Sequence, residues 1–113
     1  MRSMARRGLA LIGMAAGLAG ATAAGAADPA RIEAGRRIAE KACADCHAIG
    51  STGTSAKPEA PPFRELGRKY PVESLEEALA EGVVVGHPGM PQVKMNEAEI
   101  GAFLAWLSSI QTP

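Results

Sequence analysis

One pentapeptide constrains this chain more than anything else in it: Cys43-Ala44-Asp45-Cys46-His47. Its two cysteines are the only two in the sequence. Two thiols three positions apart share one turn of backbone, and each can form a thioether to a haem vinyl group. The adjacent histidine then presents its imidazole to the iron as proximal ligand. The porphyrin dictates the spacing, since three groups on one short turn must reach two ring edges and the metal together. Other uses of C-x-x-C fit less well. A thioredoxin-type redox pair expects a βαβ setting, and the sequence has no alternating strand pattern. Zinc wants four ligands. Only His47 and His87 could complete the set, and Cys46 and His47 are adjacent, which is poor geometry for one tetrahedron. A plain disulfide is the remaining alternative.

The first 27 residues read as a secretory leader. Arg2, Arg6 and Arg7 form a basic start, and Gly8 to Gly20 is an apolar stretch rich in Ala, Leu and Gly. Ala24-Gly25-Ala26 is then an A-x-A-like cleavage site. Cleavage is expected after Ala26 or Ala27. An uncleaved anchor is the alternative, but the strongly apolar part falls short of the ~20 residues a span needs. Arg6-Arg7 is read as ordinary leader charge rather than a twin-arginine signal, because c-type haem is attached outside the cytoplasm to an unfolded chain. The expected location is the periplasm.

Residues 28–113 then form one domain. Their nine Lys and Arg stand against twelve Asp and Glu, for a net charge of −3. Nothing in that balance suggests nucleic acid. A chain this short is marginal for burying a sufficient core unaided, and its only aromatics are Phe63, Tyr70, Phe103 and Trp106. An apolar macrocycle would supply the missing core.

The expected class is all-α. Asp28 as N-cap and Pro29 at the first helical position open a helix that runs to about Ala42 and delivers the cysteine motif. Ile32, Gly35, Ile38, Ala39, Ala42 and Cys43 follow its 3-and-4 spacing. Residues 48–62 are a Gly/Pro-rich loop. A short helix is expected over Phe63 to Tyr70, with Phe63 and Leu66 inward. Another is expected from Ser74 to Glu81, with Leu75, Ala78 and Leu79 on one face and Gly82 closing it. Its Glu73, Glu76, Glu77 and Glu81 read as a solvated face. Val83-Val84-Val85 is read as an extended segment. The last helix has Asn96 as N-cap, Glu99 completing a capping box, and Met95 and Ile100 as a hydrophobic staple. Ile100, Phe103, Leu104, Leu107 and Ile110 form its apolar stripe, with Trp106 flanking it.

Three side chains compete for the sixth position on the iron. Met90 lies between Gly89, which lets the backbone come close, and Pro91, which stiffens the approach. His87 precedes a proline in the same loop, and bis-histidine ligation would lower the potential relative to His/Met. Met95 already serves the staple. Met90 is the expected ligand.

Taken together, the helix through Gly35-x-x-Ile38-Ala39 into the C-x-x-C-H motif, Pro61-Pro62-Phe63, Met90-Pro91 and Leu104-Ala105-Trp106-Leu107 resemble a small class I cytochrome c of the bacterial exported kind. The resemblance covers nearly all of residues 28–113. It implies three to four helices around one covalently attached haem c, held through Cys43 and Cys46, with His47 and Met90 on the iron. It implies that the first and last helices cross, Gly35 meeting Trp106. It implies that a proline carbonyl, from Pro61 or else Pro62, accepts the Nδ1–H of His47. Tyr70 and Arg68 are candidates for the haem propionates. Two positions depart from the pattern: Ala39 stands where the family usually has a large aromatic, and Trp106 where it usually has Tyr.

The function so implied is one-electron transfer by a monomer that meets redox partner proteins transiently and touches membranes only through partner complexes. It is not an enzyme on this reading. Two alternatives are a haem module with a labile sixth site, peroxidase-like or gas-binding, and a dedicated subunit of a larger oxidoreductase.

Overall fold

The computed structural model describes residues 28–82 and 89–113, with residues 8, 10–15 and 17. The cleavage region at Ala26 and Ala27, the Val83–Val85 run and His87 lie outside the described residues. Three α-helices are present: α1 (Pro29–Ala42), α2 (Leu75–Glu81) and α3 (Glu97–Ser109). Two 3₁₀ segments, Phe63–Arg68 and Val72–Ser74, lie between α1 and α2. No strand occurs among the described residues.

Local chemistry sets the ends of the two long helices. Asp28 accepts from Ala30 N at 3.1 Å, and Pro29 needs no intrahelical acceptor for a missing N–H. Asn96 accepts from Glu99 N at 2.9 Å. Only this half of the expected capping box is formed, for Glu99 returns no side-chain bond. The staple pair Met95 and Ile100 are both buried. The short helix expected over Phe63 to Tyr70 is a 3₁₀ helix, and it stops at Arg68, two residues early. Pro62 before it and Pro71 after it bound the segment, and the residue before each proline is held away from the helical region. Ser74 also does not cap α2. The backbone is already turning at Val72, and the Ser74 side chain makes no cap bond.

α1 and α3 make the most extensive helix contact. It depends on Gly35. A Cβ there would collide with the Ala102 backbone and lie 2.7 Å from Trp106 Cβ. Trp106 is 3% exposed, so it belongs to the core rather than flanking a stripe. The apolar wheel describes one face of α3, but the helix is buried on two. Ala102 and Trp106 face α1, while Phe103 turns the other way, toward the cysteine motif. The core cluster joins Ala39, Phe63, Leu66, Val72, Met95, Ile100, Phe103, Trp106 and Leu107.

Candidate haem site

The end of α1 builds the motif. Cys43 caps the helix with its N–H on Ala39 O at 2.9 Å, and Ala44 N uses the same carbonyl. Cys46 N and His47 N then fold back onto Cys43 O at 3.2 and 3.0 Å. Both cysteines and the histidine therefore sit on one hydrogen-bonded turn. Burial first, and the neighbouring Cys46 second, push the Cys43 thiol up to about 11. Reactive redox thiols show the opposite shift, which counts against a thioredoxin-like use of the pair.

His47 is 8% exposed. Its Nδ1 lies 2.8 Å from Pro61 O. A carbonyl only accepts, so Nδ1 carries the proton and the ring's lone pair is on Nε2. Pro62 takes a different role, its carbonyl accepting from Glu65 N at 3.1 Å. The Phe63 ring packs on the imidazole at 4.6 Å between centroids, tilted by 36°. The 48–62 loop that leads to Pro61 is tied down along its length. Ala48 N donates to Ser55 Oγ at 3.0 Å, Lys57 N to Cys46 O at 3.2 Å and Phe63 N to Ala48 O at 3.0 Å.

Two adjoining hollows, about 780 and 670 Å³ with the space open to solvent, form one slot in front of this turn. They share Cys43, His47, Phe63, Met90 and Val93. The outer hollow carries Cys46 and the rim residues Asp45, Lys57 and Glu59. The inner one is walled by Leu66, Leu75, Ala78, Leu79 and Phe103. The inward face read for 75–79 is thus a slot wall. Met90 reaches both hollows from a turn in which Gly89 has φ 91°, a left-handed conformation that costs a glycine little. Met95 is 5% exposed and lines neither hollow. Tyr70 is half-buried and lines the inner hollow, whereas Arg68 is exposed and lines neither.

Residues and space fit a haem. The slot's inner walls are largely apolar, as those of cofactor sites are. It brings together an imidazole oriented through its far nitrogen, a thioether and two thiols at one edge. That donor set matches covalent attachment plus two axial ligands. Among the described residues no other group of His, Cys, Asp and Glu could hold a metal ion. Sequence reasoning did not single out Arg64, Gln111 or Thr112, which bind the backbone behind this site; no motif marks them.

A helical chain with such a slot defines a c-type haem protein. Comparison with known families matches residues 32–111 to the family described as "Cytochrome c". The chain belongs to the cytochrome c family and binds haem c covalently, as an electron carrier of the kind typical there. It is 29% identical over 105 residues to "Cytochrome c-552" of Bradyrhizobium diazoefficiens, covering 93% of this chain and 94% of that protein. No solved structure matches the chain. No helix among the described residues is long and apolar enough to cross a membrane.

Proposed function

We propose that the protein is a one-electron carrier in which His47 and Met90 would be the two side chains that hold the haem iron. The supporting observation is that both side chains line the same slot, whose edge carries the Cys43 and Cys46 thiols. When bound, the haem supplies a metal that changes oxidation state by one electron without exchanging ligands. The protein's own residues set the conditions. Pro61 O accepts the hydrogen bond from His47 Nδ1–H, which makes the imidazole a better donor. The Met90 thioether favours the reduced metal and raises the potential. The apolar wall of Leu66, Leu75, Leu79 and Phe103 excludes water and disfavours the extra charge of the oxidised state. Two ligands from the chain leave no position for substrate, so no bond chemistry follows.

The carrier is exported, loses residues 1–27 and works in the periplasm. Partners meet it briefly at the slot mouth beside Cys46, in a small interface. An absorption spectrum of the purified holoprotein, oxidised and reduced, tests the ligation. A low-spin spectrum with a methionine-to-iron band is expected, and the band should vanish in Met90→Ala. Loss of that band in His87→Ala instead would overturn the assignment. Rapid stoichiometric carbon monoxide uptake at neutral pH would overturn the carrier reading. The mass of the exported protein checks the cleavage site.

A further inference from the structure

Just before the C-terminus, two polar side chains are held by a set of bonds that the packing of α3 does not require. Gln111 spends its whole amide. Its Oε1 accepts from Gly67 N at 2.7 Å, and its Nε2 donates to Phe63 O at 2.7 Å and Leu107 O at 2.9 Å. Thr112 donates twice to Arg64 O, from N at 2.9 Å and from Oγ1 at 3.0 Å. Four of these five bonds end on the 3₁₀ segment Phe63–Arg68.

That segment begins beside the proximal histidine. Phe63 packs its ring on His47 and sends its N–H to Ala48 O. The carbonyl of Pro61, two residues earlier, accepts the hydrogen bond from His47 Nδ1–H. Arg64 extends the linkage, its Nη2 donating to Gly53 O at 2.8 Å in the loop that leads to Pro61. The tail thus grips the segment from behind, and the segment presents a ring and a carbonyl to His47.

We infer that Gln111 and Thr112 are positioning residues for the proximal ligand: by clamping Phe63–Gly67 they fix the Pro61 carbonyl and the Phe63 ring that orient His47. This rests on His47 being the axial ligand. A carbonyl held in place accepts a stronger bond from Nδ1–H and leaves a more basic imidazole. A loosened one makes the imidazole a poorer donor and favours the reduced metal. The plain alternative is that the tail merely satisfies exposed backbone groups, as residues at a chain end often do.

The test uses reduced holoprotein and follows hydrogen exchange of the His47 Nδ1 proton by NMR, alongside the reduction potential. Gln111→Ala removes the clamp. Gly67→Ala strains it from the other side, since a Cβ there would stand 3.0 Å from Gln111 Oε1. Both should speed the exchange roughly three- to tenfold, the effect of about one net hydrogen bond, and raise the potential while the methionine band stays. Asn96→Ala, which uncaps α3 at its far end, supplies a stability control that leaves both readouts unchanged. If Gln111→Ala and Gly67→Ala behave like Asn96→Ala, lowering only the unfolding temperature, the positioning role is wrong. If the unsubstituted protein shows no haem-shifted His47 ring, the ligation reading fails and this one with it.

Discussion

On the proximal side of the slot, His47 is approached from three directions. Its own turn bonds back to Cys43 O, Pro61 O accepts its Nδ1–H hydrogen bond, and Phe63 covers its face. On the distal side, Met90 sits between Gly89 and Pro91. Among the described residues, the one backbone bond outside the helices that ties 89–95 to the rest runs from Met95 N to Leu79 O. One proposed ligand is oriented by surrounding bonds, the other by the backbone limits of its neighbours. The proximal group should therefore be costly to alter and the distal one replaceable.

The sharpest break of this contrast comes from His47→Ala against Met90→Ala. The first should abolish the low-spin spectrum and lower thermal stability the more, because the iron loses its bond to the motif turn and only the thioethers at Cys43 and Cys46 then hold the haem there. The second should keep the attached haem and the helical circular dichroism, and lower the potential. Equal loss of fold in both would refute the asymmetry.

Beneath both sides lies the α1–α3 contact. Gly35→Ala should lower stability by about 1–3 kcal/mol through overpacking, read as a fall in unfolding temperature. Helix propensity alone predicts the opposite sign, a gain of roughly 0.5–1 kcal/mol, so the direction decides whether the close approach is real. Asn96→Ala should cost about 1 kcal/mol by removing the α3 cap.

The smallest effect belongs to the outer face of α1. Arg36 grips Glu33 at 2.8 and 2.9 Å and reaches Glu40 at 3.0 Å, while Arg37 adds 3.3 Å to Glu33. The Arg36 hydrogen bond first holds the Glu33 carboxyl down to about 2, from an ordinary 4.5. A depressed carboxylate stabilises the fold above its unfolded value and loses that contribution as pH falls through its folded one. Glu33→Gln should therefore lower the unfolding temperature slightly at pH 6, and the gap should close between pH 4.5 and about 2.

What the sequence made legible follows range. The caps at Asp28 and Asn96 act within three residues, and the motif turn within five, so each was readable where it stood. The packing of Trp106 on Gly35 came from the family resemblance and holds, whereas the helical wheel alone set Trp106 beside the stripe, because a wheel shows which residues share a face but not how many faces will be covered. Segment 63–68 was placed as a short helix, but its 3₁₀ form and its early end were not legible, since proline spacing and tertiary bonds jointly decide them. The Gln111 clamp was invisible: an ordinary amide acquires its role only when residues 44 and 48 positions away arrive beside it.

The two thiols at the slot edge also change how this fold responds to dilution. A group held only by contacts stabilises its protein in proportion to the logarithm of its free concentration, so a scarce protein in a large compartment would shed it. Thioethers at Cys43 and Cys46 replace that concentration with a fixed local one. The melting behaviour of the holoprotein should then be the same at micromolar and nanomolar amounts, and no pool of free haem is needed to keep it folded.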